Sequence, residues 1–278
     1  MGFRMMDESK TESVCVMNNQ DYPGLYQGAD IASASAQKTY LLLQQAYLAS
    51  LIIGGMMGML TSLFTGTALK GAYTVMAIVL AIGLLILWIG RSRQDDNAWF
   101  DCRAIAESVK TATWRYMMMA SPFQNHGVID QDFISELQEI RKARPDCQKH
   151  FVSVPAAKNP PITDFMRRLR ESTYEDRKHF YIDQRLCDQK SWYFGKAKVN
   201  ADESVRWFWW TAGLQSVALI VAIIQASAGG LGFNMIPILT TCAAVVAAWN
   251  QMKRHDELKK AYALASQELN ELETIARS

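Results

Sequence analysis

The residues able to act as ligands or catalysts are few in this chain and widely spaced. Four histidines (His126, His150, His179, His255) and five cysteines (Cys15, Cys102, Cys147, Cys187, Cys242) are its whole stock of imidazole and thiol. Cys147-Gln-Lys-His150 has the spacing of half a zinc site, but no second half appears, so a metal-free surface loop is the better reading. There is no CxxC pair. Four of the five cysteines fall in segments assigned below to the cytoplasm, where reduced thiols are expected. No P-loop, GxSxG or HExxH occurs. The expectation is a protein that is not an enzyme, with no catalytic residue, no metal and no cofactor. A net charge of +2, from 29 basic and 27 acidic residues, gives no case for direct nucleic-acid binding.

The informative residues are apolar. From Phe208 to Ala228 the chain carries no charge, Gly229-Gly230-Leu231-Gly232 interrupts it, and a second uncharged run continues to Trp249 before Lys253-Arg254. A bilayer core about 30 Å thick needs about 20 mainly apolar residues in a helix. Backbone amides in hydrocarbon must bond within their own segment, which favours helix. The pattern predicts a hairpin of two membrane helices. It recurs from Ala46 to Ile89, with Lys70-Gly71 in the turn and Arg91 and Arg93 as the stop. The expected fold is all-α: four transmembrane helices as two hairpins, each followed by a cytoplasmic heptad helix.

Expected boundaries follow from these runs. Residues 1–37 form a polar, poorly ordered segment with a turn at Tyr22-Pro23-Gly24 and no leader-like start. Residues 38–120 form the first hairpin unit (spans 46–64 and 72–89, helix 98–120), and 121–162 a cytoplasmic connector. Within the connector, Asp130 or Asp132 opens a helix that runs to about Lys142, and Val154-Pro155 with Asn159-Pro160-Pro161 makes a stiff link. Residues 163–278 form the second unit (helix 163–206, spans 208–228 and 231–249, helix 253–277), with Thr163 or Asp164 as cap. Lys38, Arg91, Arg93, Arg206, Lys253 and Arg254 flank one side of the spans, and Trp88, Trp207, Trp209, Trp210 and Trp249 mark the same face. By the positive-inside rule this is a multi-pass protein of the inner membrane with both termini cytoplasmic.

Each hairpin leads into a heptad stripe. Cys102, Ala106, Val109, Thr113, Tyr116 and Ala120 step by 4, 3, 4, 3, 4, and Leu258, Tyr262, Ala265, Leu269, Leu272 and Ala276 repeat those steps at an offset of 156. This supports an internal repeat. Inside the spans, Ser50, Gly54, Gly58 and Ser62 fall at every fourth position, as do Ala218, Ala222 and Ala226. Small residues at this spacing let backbones approach. They serve either tight packing within one hairpin or subunit, or the contacts of an oligomer or pore. No Asp, Glu, Lys or Arg lies within the four spans, which argues against a coupled transporter. Gln215 and Gln225 are the only long polar side chains there; an interhelical bond or an interfacial position is expected for them. A conducting path would be apolar and gated by dewetting.

Ahead of the second hairpin, Arg185, Gln189, Trp192, Lys196 and Asn200 share one helix face, with Tyr193 beside Trp192. Consecutive Trp, Tyr and Phe require packing. The face either docks on the heptad helices or couples a cytoplasmic signal to the membrane. These residues, with Tyr181 and Ala197, resemble the SLATT domains, two-transmembrane effectors associated with nucleotide-second-messenger and SLOG sensor systems of prokaryotes. Ile162-Thr163-Asp164-Phe165-Met166 with Arg170, and Trp99-Phe100-Asp101-Cys102-Arg103-Ala104 with Ala106-Glu107-Ser108 and Trp114-Arg115, also look like family sequence. The resemblance spans about Lys38 to the C-terminus, as two units in tandem. The first departs from the pattern in a short pre-hairpin helix without the Arg-Gln-Trp-Tyr face. The resemblance implies a membrane-acting effector of anti-phage defence, forming pores or perturbing the bilayer on activation. Implied partners are the lipid bilayer, further copies of the chain, and a separate sensor protein or a nucleotide second messenger. The alternatives are a membrane scaffold recruiting a cytoplasmic partner and, least expected, a small transporter.

Overall fold

The computed structural model describes residues 17–124, 127–151, 159–228 and 234–278. Cys15, His126, the Val154-Pro155 link and the Gly229–Gly232 break lie outside these residues. Among the described residues the fold is all-α: α1 Gly24–Leu60, α2 Gly66–Arg93, α3 Asp95–Met117, α4 Ile129–Lys142, α5 Pro145–Phe151, α6 Asp164–Glu171, α7 Tyr174–Tyr181, α8 Asp188–Ala228, α9 Ile236–Lys253 and α10 His255–Arg277. Among the described residues, three stretches are long and apolar enough to cross a membrane: Gly24–Leu63, Gly66–Met117 and Tyr174–Ser227. The expected span 231–249 begins outside the described residues; Asn234 and Met235 precede α9, and its residues from Ile236 on lie in α9.

The N-terminal segment differs from expectation. Residues 24–37 are helical, because Tyr22, Tyr26, Ala29, Ser33 and Ala36 make a buried stripe at heptad spacing. Small Ala and Ser side chains hid that stripe in a stretch that reads as polar. The first turn also lies earlier than expected. The chain reverses through a 3-10 turn at Thr61–Leu63, extended Thr65 and left-handed Gly66 (φ +59°), so Lys70 sits on α2. The cysteines differ too: Cys102 and Cys147 are disulfide-bonded and fully buried, whereas Cys187 and Cys242 are free. Disulfides depend on sulfurs meeting in space, which scattered sequence positions do not reveal.

The chain forms two compact units. The first comprises residues up to Asp30 together with Ala104–Leu186. Its core is aromatic: Tyr116, Phe123 and Phe133 pack with centroids 4.7–6.2 Å apart, and Trp114 meets Phe180 and Tyr181. Arg170, buried, donates to the carbonyls of Tyr116 and Phe123 and lies over the Tyr116 ring. Burial pushes the Tyr116 phenol up to about 12, and its hydrogen bond to Asp130 (2.7 Å) adds to the rise. Asp130, expected as a cap, instead sits in the first turn of α4, after Val128 at the cap position. Thr163 caps α6, its hydroxyl accepting from the Met166 amide.

The second unit comprises Ile31–Arg103 and Cys187–Ser278 and holds both hairpins. At about 1.5 Å per residue, the 37 residues of α1 and 41 of α8 run about 55 and 61 Å. Each therefore extends well beyond a bilayer core of about 30 Å. Each return helix ends at a left-handed residue, Gln94 (φ 51°) or Arg254 (φ 52°), whose amide bonds to the carbonyl four residues back. The next helix starts immediately. Gln94 and Arg254 fix the repeat at an offset of 160, one helical turn longer than the heptad match of 156. In that register Ala98, Cys102, Ile105, Val109, Ala112 and Tyr116 correspond to Leu258, Tyr262, Ala265, Leu269, Leu272 and Ala276, and all six α3 residues are buried. The one-turn error arose because α3 is buried on a wide face that includes Ala106 and Thr113.

Candidate functional site

Close backbone approach builds the first hairpin. Ser50 on α1 is buried, and its hydroxyl donates to the Tyr47 carbonyl at 2.6 Å. A Cβ added at Gly83 on α2 would lie 2.5 Å from Ser50 Oγ, so the two helices nearly touch there. One turn on, Gly54 faces Leu80, and the next turn brings Gly58 to Met76. The stripe of Ser50, Gly54 and Gly58 is thus the seam within hairpin one, the plainer of the two expected uses. Gly55, one residue round the helix, faces the second hairpin, where a Cβ would meet Thr241 Oγ1 at 3.2 Å and Ile238 at 3.4 Å. Ser62 is exposed, its hydroxyl donating to Met59.

In the second hairpin α8 packs on α9. Ala218 is buried, Ala222 half-buried, and Ala226 and Gln215 exposed. Gln225 is half-buried and engaged. The outer surfaces carry Leu84, Leu85, Leu219, Ile220 and Ile223, while Trp88, Trp209 and Trp210 are exposed at the ends expected in the headgroup region.

The face expected to couple signal and membrane is divided by a π-helical turn, Ile182–Cys187. A π turn shifts the phase of the side chains before it. Arg185 therefore does not continue the stripe: it belongs to the first unit, the other five residues to the second. Arg185 Nη1 is buried with no hydrogen-bond partner among the described residues. In the same unit the Tyr22 phenol is pushed up by burial, opposed by the hydrogen bond from Trp114 Nε1 (3.0 Å) and the charge of Arg185.

From Gln189 onward the face docks on α10. Trp192 meets Tyr262 at 5.6 Å between centroids, Tyr193 meets it at 5.7 Å, and the Lys196 ammonium lies 5.6 Å from the Trp192 ring. Asn200, buried, places Oδ1 2.8 Å from His255 Nδ1 and donates through Nδ2 to the Lys196 carbonyl. Ser204 donates to Asp256 at 2.9 Å. At the far end Lys190 pairs with Glu273, which also accepts from Arg277 (2.9 Å) and the Cys187 thiol (3.3 Å). The Lys190 bond first, then those from Arg277 and Cys187, hold the Glu273 carboxyl down at about 2. Gln189 is half-buried beside this cluster.

Three contributors were not singled out from the sequence: Gly83, His255 as the Asn200 partner, and Glu273. A glycine within an apolar run was the available signal for Gly83; the other two are solvable only once α10 is set against α8. Among the described residues no group of three or more His, Cys, Asp or Glu side chains converges on a metal-sized site.

Residues 23–178 match the family described as SMODS and SLOG-associating 2TM effector domain 3, and residues 181–278 match SMODS and SLOG-associating 2TM effector domain 1. No curated protein and no solved structure matches the chain. The junction between the two matches, at residues 178–181, adjoins the π turn that starts at Ile182. Two hairpin-bearing repeats, each with a span helix that extends into a polar one, agree with those matches. The chain belongs to the SLATT family of two-transmembrane effector domains and carries two of them in tandem.

Proposed function

We propose that this chain is a membrane-acting effector of a prokaryotic anti-phage defence system. Triggered through its cytoplasmic helices, it self-associates in the inner membrane and opens or disrupts the bilayer. It spans the membrane four times with both termini inside, uses no cofactor, performs no catalysis and binds no nucleic acid directly. The trigger is a separate sensor protein or a nucleotide second messenger.

The observation that carries this reading is the continuity of α1 and α8 from polar to apolar sequence without a break. A displacement of Trp192 or Asn200 at one end of α8 is delivered to Gln215 and Ala218 at the other by a stiff rod. The exposed Gln215 amide supports self-association, since an unpaired amide facing lipid costs about 1–3 kcal/mol that another copy can offset.

The test is dye release from liposomes carrying the purified protein, with each candidate trigger added in turn. Release that depends on a trigger is expected; vesicles that stay sealed under every trigger refute the reading. The scaffold alternative is favoured by the exposed Leu264, Leu272 and Ile275 on α10. A membrane potential that stays intact in triggered cells would select it.

A further inference from the structure

The cytoplasmic pair formed by α8 and α10 presents two unlike flanks. One is an open groove lined by Lys190, Ser191 and Phe194 of α8 and by Gln267, Asn270 and Glu271 of α10. Phe194 is 67% exposed on it, and at helical spacing Lys198 and Val205 continue the same edge towards the membrane. On α10, Lys260 lies at the same height as Lys198 on its outer edge. The opposite flank carries Glu257, Ala261, Leu264, Glu268, Leu272 and Ile275, all exposed. The groove flank thus carries Lys198 and Lys260 beside Phe194 and Glu271, and the α10 edge of the opposite flank carries Glu257 and Glu268 beside Leu264.

Heights along the pair follow from its contacts. Asn200 lies level with His255, Tyr193 with Tyr262 and Lys190 with Asn270. By this scale Phe194 stands level with residues 261–266 of α10, which include Leu264, and Lys198 with residues 257–262, which include Glu257. Copies held in one bilayer share these heights, so the residues that must meet are already aligned.

We propose that the occupant of the groove flank is the acidic flank of a second copy of this chain. Phe194 packs against Leu264 of the neighbour, and Lys198 pairs with the neighbour's Glu257. Neither side chain is committed elsewhere by a strong contact. Lys198 has no ion pair among the described residues, and Glu257 has only the exposed pair with Arg254, a kind that contributes about 0–1 kcal/mol. Because the two flanks differ, the contact is heterologous. Repetition closes into a ring or runs on as a row, and does not stop at two copies. The assignment rests on the membrane placement proposed above, which sets the copies side by side, and it names the contact through which they associate.

The experiment measures the mass of the full-length protein in lipid nanodiscs and mild detergent. The variants are Lys198→Glu, Glu257→Lys, the two together, and Phe194→Ala. Wild type is expected as a species larger than a dimer. Each single charge reversal is expected to raise the concentration for half-assembly about tenfold, and the double reversal to restore it. Phe194→Ala is expected to weaken assembly with both charges intact. A monomeric wild type, a species that stops at a dimer, or single reversals without effect would each overturn the proposal. Assembly that follows this pattern in vesicles that never leak would leave the contact standing and remove the pore-opening function alone.

Discussion

Gly83→Ala is the sharpest probe of the hairpin seam. The added methyl would stand 2.5 Å from Ser50 Oγ and 3.3 Å from Ser50 Cβ, whereas ordinary contact begins near 3.4 Å. The hydroxyl can rotate away only by leaving the Tyr47 carbonyl it bonds at 2.6 Å, and the Cβ contact stays tight even then. Overpacking of this kind costs about 1–3 kcal/mol. Moving the methyl across the seam, as Ser50→Gly with Gly83→Ala, removes both conflicts and should recover most of the loss, a coupling of about 1 kcal/mol or more. Gly71→Ala on the same helix is the control, because nothing lies within 4 Å of its Cβ; it should be neutral or stabilising by up to about 1 kcal/mol. Reversible SDS denaturation in mixed micelles, followed by far-UV circular dichroism, reads wild type, these three variants and the Ser50→Gly single that closes the cycle. A Gly83→Ala protein as stable as wild type, or a double variant no better than the single, would refute the seam.

Three further outcomes follow from particular residues. Burial lowers the His255 pKa beneath its unfolded value near 6.5, with Glu203 and Asp256 opposing and Lys253 and Arg206 reinforcing. Protonation therefore favours the unfolded chain: stability is whole above about pH 6.5 and declines as pH falls through the folded value, and thermal scans should show His255→Gln losing that part of the slope. Gln94 and Arg254 hold left-handed backbone, so replacing either with glycine should raise the melting temperature by relieving about 1 kcal/mol of strain. Asn200→Ala should blunt the triggered response while membrane insertion, measured by fractionation, is unchanged; a normal response would remove the Asn200–His255 contact from the coupling path.

Much of the architecture was legible because bilayer physics is strict. Charge-free runs of span length admit helix alone, and the apolar runs before Arg91 and Lys253 are helical as expected, although the first turn falls at residues 61–65 rather than at Lys70-Gly71. Of the expected α10 stripe, Tyr262 meets Trp192 and Tyr193, whereas Leu272 is exposed on the outer side. What stayed hidden has common causes. The start of α1 rests on Ala29, Ala32 and Ala36, whose small side chains carry little hydrophobic signal. The break at the start of the second SLATT domain, just inside its matched residues, is a π turn, which leaves composition unchanged and alters only phase. Arg185 therefore looked like one more member of the Gln189–Asn200 stripe. The Cys102 and Cys147 disulfide chemistry depends on positions in space that sequence separation does not encode.

The central claim is that both hairpins lie in the bilayer with their ends on one side. Impermeant labelling of single introduced cysteines in intact cells tests it most directly, with sites at Lys70, Asp132, Asn234 and Ser278. The account predicts that Lys70 and Asn234 react from outside, while Asp132 and Ser278 react only after the cells are opened. Reaction of Asp132 or Ser278 from outside, or of none of the four until lysis, would contradict it.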